Sequence, residues 1–495
     1  MANFFAAVDC GTSAIKAAIF TEKGCPKIII NKSYPPKVKN GCQIEQDPNQ
    51  LLTKIYSSLK EAVVKSKVKP TSICSLSIST QRATLISIGK DKKPLTNFIS
   101  WQDMRGKDYL KYLRNKISDK NYYKITGLPN NPVFSLAKIL WVKKKAPQIY
   151  KKTDKFLLLH SYILKEFGCR DYLEDYSNAS LTGLLNIKKF SWSKLILKAI
   201  GLKETKLAGL TSSGAVIGVL SKGAAKRSGL VEGIPLVSGG GDQQCAGLAA
   251  AAVKPGILGI TFGTASVPLI YTPKPVFDPK MRFICCAHVL EGCWGLEGFQ
   301  GCTGASIQWL NKITAGKIFD QSVFIKAKRS GPGAGGVLFY PYLSGASCPN
   351  WNPKAKGVFF GLALSSTKFD LLRAVVEGIS FETREILDLY SWLGIKIKEI
   401  RLTGGGAKNK FWNQIQADIY QKKILTFKNP DASLAGAAAL AAYAAGLDKS
   451  LKKTAFRFSK PDKVFYPDKK QKMLYNKLHA NYKHVYKVLD KNEIF

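Results

Sequence analysis

Four short stretches of the chain combine glycine with residues that grip phosphate or move protons. Asp9-Cys10-Gly11-Thr12-Ser13, followed by Lys16, joins two apolar runs. A tight turn of this composition offers backbone N–H groups and hydroxyls to phosphate oxygens, and a carboxylate at its strand end suits a hard divalent cation. Gly263-Thr264 repeats the turn in the second half of the sequence. Gly239-Gly240-Gly241 precedes Asp242, then Gln243. Glycine lets a backbone approach a substrate closely, and a carboxylate there can take the proton of an attacking hydroxyl. The same Asp242 would also serve as an ordinary helix cap. Gly404 to Asn409 is a glycine-rich link in which a base or ribose could lie against the backbone. Together these are parts for phosphoryl transfer, which needs positioning and charge neutralisation more than covalent chemistry.

The elements that must position them are legible in outline. Phe4 to Val8 and Ile15 to Phe20 read as a hairpin about the first turn, with a third strand at Lys27 to Ile30. Asn49 to Lys65 has helical periodicity after Asp47-Pro48. Ile73 to Ile78 reads as a buried strand and Leu85 to Ile88 as its neighbour, and Asp103 to Leu230 reads as mainly helical. The second half opens as the first does, with strands at Gly256 to Thr261 and Val267 to Tyr271 about the Gly-Thr turn. That echo predicts a duplicated domain with a boundary near 250. Helices are expected at Lys368 to Leu393, Asn409 to Tyr420 and Ser433 to Gly446, and near the end of the lysine-rich tail.

Composition narrows the classes. The 495 residues exceed one ordinary domain, and apolar content is that of a globular protein. No apolar run is long enough for a membrane span, and the first residues lack the form of a signal peptide, so a cytoplasmic protein is expected. Eleven cysteines lie scattered without a Cys-x-x-Cys pair and read as reduced thiols; four histidines supply a histidine-rich metal site poorly. The formal charge of +41 comes from lysines spread along the whole chain, so a solvated surface is expected rather than a specific nucleic-acid partner. No G-x-x-x-x-G-K-[ST] occurs. Gly331 to Gly336 matches a dinucleotide fingerprint by letter, but it leads into a strand-like run rather than a helix.

In this order the motifs resemble the FGGY carbohydrate kinases, across roughly residues 4 to 446. Asp9 to Lys16 is similar to the family's first phosphate loop and Phe262-Gly263-Thr264 to its second; Gly240 to Gln243 resembles its catalytic segment. Ser135-x-x-Lys138-Ile139-x-Trp141 is similar to the first family signature, with Lys145 a departure. Gly357 to Leu362, ahead of Asp370, Ala374 and Glu377, resembles the second. The resemblance implies an α/β protein of two actin-like, ribonuclease H-like ATPase domains with an ATP and sugar cleft between them: 1–250 for sugar and catalysis, 251–447 for nucleotide, and 448–495 as a C-terminal helical extension. It implies Asp242 as general base and ATP with Mg²⁺ as cofactors, Asp9 lying near the metal. Gly11, Thr12, Ser13, Lys16, Gly263, Thr264, Gly304, Gln308, Gly405 and Asn409 would meet ATP. Gln81, Arg82, Asp103, Asp242 and Gln243 would meet the sugar. No membrane partner is implied, and a homodimer is allowed.

Substrate choice rests on departures. Gln81-Arg82 with Trp101-Gln102-Asp103-x-Arg105 looks like the glycerol kinases, yet Ala83 stands where they carry a glutamate and Val133 where they carry a tyrosine. A site built for hydroxyls depends on such groups. Leu343-Ser344-Gly345 and Lys354 to Gly361 look like the xylulokinases. A pentulose such as D-xylulose is therefore the expected acceptor, with glycerol, another polyol or gluconate as the alternative. A binding sensor without turnover is the alternative of another class.

Overall fold

The computed structural model describes residues 3–314, 327–429 and 431–492. Met1 and Ala2 of the leader reading, and the last three residues of the expected extension, lie outside them. The chain forms two compact units: residues 1–253, 272–296 and 431–459 in the first, and 254–271, 297–430 and 460–495 in the second.

The first unit is built on a six-stranded sheet in the order Val216–Val219, Pro235–Gly241, Ile73–Thr80, Phe4–Cys10, Ala14–Thr21, Pro26–Ser33. The Phe4–Cys10 and Ala14–Thr21 strands form the expected hairpin, with Asp9 opposite Lys16. Phe4–Cys10, Ile73–Thr80 and Pro235–Gly241 run parallel, so their C-terminal ends emerge together. In an open parallel sheet this is the edge where ligands bind. Alternation along the first strand sorts its side chains by face. Ala6, Val8 and Cys10 join Leu51, Ile55 and Leu59 of the Pro48–Ser66 helix. Ala7 joins Ala435, Ala437 and Ala438 of the Ala432–Ala444 helix. The alanines of that helix have a steric reason: a Cβ on Gly436 would stand 2.0 Å from the Cys245 carbonyl oxygen, so it and the Asp242–Ala249 helix touch nearly backbone to backbone.

Between Asp103 and Leu230 the chain is less uniformly helical than its pattern suggests. Thr153–Leu158 is a strand that pairs with Leu85–Gly89, and Leu173–Asp175 pairs with Gly209–Thr211. The strand partners of these short runs are distant in sequence, and pairing of this kind overrides local propensity.

In the second unit the strands Ser266–Thr272, Ile257–Phe262, Glu399–Gly404, Lys423–Phe427 and Pro461–Phe465 follow one another as neighbours. Its core pattern repeats that of the first unit, with an antiparallel hairpin whose first strand runs parallel to two later strands. The long Lys368–Trp392 helix starts from a capping box of Thr367 and Asp370. Buried Glu377 on it accepts from Gly333 N–H, from Arg373 Nε at 2.8 Å and from Tyr475 Oη at 3.0 Å. The loop 331–336 and the final helix, Lys472–Lys491, are thereby fixed to one carboxylate. Among the described residues no helix is long and apolar enough to cross a membrane.

Candidate active site

In the first unit the ends of the three parallel strands bring Asp9, Gln81, Arg82 and Asp242 to one edge. Asp9, next to last in its strand, stands opposite Ser79. Its Oδ1 is buried and has no hydrogen-bond partner. Burial pushes its carboxyl up to about 7, and the Asp242 charge adds to that, against the opposing pull of Lys16. An orphaned carboxylate oxygen with a second carboxylate nearby is a site that a divalent cation fits.

The turn after Asp9 is held from behind. Gly11 N–H bonds the Ala14 carbonyl at 3.0 Å. Gln46 Nε2 donates to the Thr12 carbonyl at 2.9 Å, and Trp101 Nε1 donates to Thr12 Oγ1 at 2.9 Å. Ser13 is exposed at the tip. Lys16 pairs with Asp431, which precedes the Ala432–Ala444 helix. Gln46, Trp101 and Asp431 were not singled out by the sequence motifs; each is far from the turn along the chain, and only Trp101 stood in a recognised stretch.

Asp242 is the first residue of the Asp242–Ala249 helix, and its side chain is 25% exposed. Its Oδ1 accepts from Gln243 N–H at 2.8 Å and faces Arg82 Nε at 3.4 Å. Gln243 Oε1 is buried without a partner, as is Gln81 Oε1, while Gln81 Nε2 donates to Gln46 Oε1 at 2.7 Å. Ala83 follows Arg82 at φ +60°, a left-handed conformation, and is buried. Such strain in a non-glycine residue is held by its surroundings and gathers at functional sites.

Asp103 is placed differently. It is fully buried; Oδ2 accepts from Ile44 N–H at 2.6 Å, and both oxygens take Arg105 Nε at 2.9 Å. Arg105 also reaches Glu45 at 2.9 Å and lies over the Trp141 ring. The carboxylate is thus engaged in fixing the loop that carries Trp101. Nearby, buried Lys138 of the first signature donates to the Val133 carbonyl at 2.7 Å, and burial holds its ammonium down at about 7, against the pull of the Asp103 carboxylate.

In the second unit Gly263 and Thr264 are exposed at the hairpin tip. The carbonyl of Gly263 accepts from Gly304 N–H at 3.1 Å, and that of Thr264 accepts from Thr303 and Ala305 N–H, each at 3.1 Å. The start of the Gly304–Ile313 helix is therefore clamped to the turn, with Gln308 exposed one turn further on. Thr303, whose Oγ1 also donates to the turn, completes the clamp and was not foreseen. Gly404 ends a strand beside Phe262. A side chain at Gly405 would meet nothing within 4 Å, so its backbone is open to a flat ligand. Asn409 caps the Lys410–Tyr420 helix, its Oδ1 accepting from Trp412 N–H at 3.1 Å.

Among the described residues, His160, Glu174 and Asp175 form one buried group close enough to hold a cation. Asp175 already accepts from Ser177 N–H, Ser213 Oγ and Asn178 Nδ2, which makes the group a hydrogen-bonding hub.

Known proteins resemble the chain in sequence and fold. The model of the FGGY family of carbohydrate kinases, N-terminal domain, matches residues 4–249, and that of the C-terminal domain matches residues 258–445. A gluconokinase of Bacillus licheniformis is 30% identical, over 90% of this chain and 88% of its own. A xylulose kinase of Bacillus subtilis is 29% identical, over 97% and 96%. The crystal structure of Plasmodium falciparum glycerol kinase with ADP superposes with a TM-score of 0.88 at 26% identity, covering 98% of both chains. The chain belongs to the FGGY family of carbohydrate kinases and is an ATP-using kinase of a sugar or polyol.

Proposed function

We propose that this kinase phosphorylates a terminal hydroxyl of a pentulose such as D-xylulose, with Asp242 as general base. The observation that carries the reading is the placing of Asp242: a partly exposed carboxylate at a helix start, beyond three glycines and facing Arg82 at 3.4 Å. Its oxygen takes the acceptor's proton as the hydroxyl oxygen attacks the γ-phosphorus and ADP departs. Arg82 orients the carboxylate, and Gln81 and Gln243 contact the acceptor beside it.

Gly263, Thr264, Gly304, Gln308, Gly405 and Asn409 bind ATP, joined by Gly11, Thr12 and Ser13. Lys16 contributes through its pairing with Asp431, and Asp103 supports the sugar from behind its loop. Asp9 would hold Mg²⁺, which when bound neutralises charge on phosphate oxygens. Ala83 and Val133 favour a pentulose because they leave out the polar groups that the glycerol kinases place there.

Gluconate is the second reading, favoured by a gluconokinase among the relatives. The test is coupled ADP release with Mg²⁺-ATP across D-xylulose, L-xylulose, ribulose, gluconate, erythritol, xylitol and glycerol. Saturable turnover of a pentulose, lost in Asp242→Asn with ATP binding intact, supports the proposal. Turnover of gluconate or glycerol alone replaces the substrate, and near-parental turnover by Asp242→Asn removes the base.

A further inference from the structure

The strand that delivers Asp242 is irregular where it matters. Val237 pairs with Ser77 of the neighbouring strand, but the next pairing joins Gly240 to Ser79, so the Pro235–Gly241 strand spends three residues where its partner spends two. An extra residue of this kind is a β-bulge, which re-aims the chain and takes an amide out of the ladder. Its buried amides need other acceptors. Gly239 N–H donates to His160 Nε2 at 3.0 Å, and Gly241 N–H donates to Ser177 Oγ at 2.9 Å. Both acceptors are fully buried side chains from outside the sheet.

Each strut is held in turn. Since Nε2 of His160 accepts, its proton sits on Nδ1; the Glu174 carboxylate lies alongside, Oε1 at 3.0 Å, without completing a hydrogen bond to it. Glu174 is itself fixed by Ser161 Oγ at 2.8 Å. Ser177 Oγ donates to Asp175, which frees its lone pair for Gly241. No side chain can replace these struts from within the strand: a Cβ on Gly239 would lie 1.9 Å from the Ile78 carbonyl oxygen.

We infer that His160, buried beside Glu174, and Ser177, oriented by Asp175, are positioning residues that set the catalytic bulge and so aim Asp242. The inference rests on the reading of Asp242 as the base. Neither residue touches a substrate; their effect is on where the carboxylate stands. A misplacement on the order of 1 Å in such a group costs roughly 10²-fold in rate.

The test compares His160→Leu, which removes the acceptor, with His160→Gln, whose amide oxygen can reach the position of Nε2. Parental ADP release with its best acceptor and the Asp242→Asn control are measured first. His160→Leu should lose about 10- to 100-fold in kcat with KM for ATP and acceptor within about twofold, and His160→Gln should recover most of the loss. Amide hydrogen exchange in peptides covering 235–241 should quicken in His160→Leu and not in His160→Gln. Unchanged kcat and exchange in His160→Leu would overturn the inference, as would a His160→Gln variant as impaired as His160→Leu. Should His160→Leu fail to fold, Ser177→Ala takes its place, with lower kcat at unchanged KM expected, and parental kcat overturning. A parental chain that turns over no acceptor of the panel overturns the substrate proposal, while the exchange measurement still decides whether His160 holds the bulge.

Discussion

The stem of Arg82 lies across Gly241 while its Nε reaches to within 3.4 Å of Asp242 Oδ1. A Cβ on Gly241 would stand 2.3 Å from Arg82 Cδ. The glycine before Asp242, the proposed base, is therefore required for the passage of its guanidinium partner. Gly241 itself has φ −61° and ψ 145°, values that any residue adopts.

Gly241→Ala should accordingly fold, because the obstructed group is a movable side chain, and should lose activity, because Arg82 is turned off Asp242. We expect kcat to fall about tenfold or more, with a melting temperature close to the parent's. Gly239→Ala is the contrast. There the clash is with backbone, the Ile78 carbonyl oxygen at 1.9 Å, and the sheet itself must give. That variant should melt far lower or fail to accumulate. Parallel thermal melts and ADP-release assays separate the two, and equal destabilisation of both would refute the Arg82 account.

The parts of the site that were legible in the sequence are those in which chemistry and backbone geometry are written side by side. Gly11-Thr12-Ser13, Gly263-Thr264 and Gly239 to Asp242 each combine a turn or close approach with a side chain proposed to act, and each lies at the strand end or hairpin tip expected. The hairpin, the long Lys368–Trp392 helix and the repeated strand pattern were legible because periodicity is local. What was not legible is whatever joins distant segments. Lys16 suggested a phosphate ligand by its place in the motif, yet Asp431, 415 residues away, pairs with it. Asp103 read as a sugar contact, but its oxygens face Ile44 and Arg105. His160 had no motif at all, and its meaning appears only with a bulge that no pattern of residues announces.

The Gly263-Thr264 turn, proposed to hold the nucleotide, makes a separable prediction. A Cβ on Gly304 would stand 2.5 Å from the Gly263 carbonyl oxygen, which accepts the Gly304 N–H. Gly304→Ala forces the helix start away from the Gly263-Thr264 turn. The expected result is a KM for ATP raised about tenfold or more, with the acceptor's KM changed little. A shift confined to the acceptor would show that this turn does not serve the nucleotide.

Tyr475 tests the tie between the final helix and the Lys368–Trp392 helix. Its hydroxyl donates to Glu377 at 3.0 Å and accepts from Arg373 at 3.0 Å, all three being buried. Tyr475→Phe keeps the ring and removes both bonds. The loss should be about 1–3 kcal/mol in denaturant unfolding, since two charged groups lose a partner. Activity at temperatures well below the transition should stay near the parent's, because these residues lie outside the proposed contacts. A variant as stable as the parent would mean that the Arg373–Glu377 pair suffices alone.

Glu382 predicts how stability depends on pH. It is buried on the Lys368–Trp392 helix, with Gln300 Nε2 donating to it at 2.9 Å. Burial pushes its carboxyl up from 4.5 to about 8, the Gln300 hydrogen bond opposes, and neighbouring Glu385 adds to the rise. Between those two values the folded chain holds a proton that the unfolded chain has released. Its contribution is therefore fully present at low pH and is lost as pH rises through about 8. Glu385, raised to about 7, acts in the same direction, so the parent's slope is not that of one group. Glu382→Gln stays neutral at every pH and keeps an acceptor for Gln300. Relative to the parent, this variant should gain stability steadily from about pH 5 to pH 8, by on the order of 2 kcal/mol at the upper end. Urea midpoints at the two pH values measure it. A difference between variant and parent that does not change with pH would show that Glu382 titrates alike in the folded and unfolded chains.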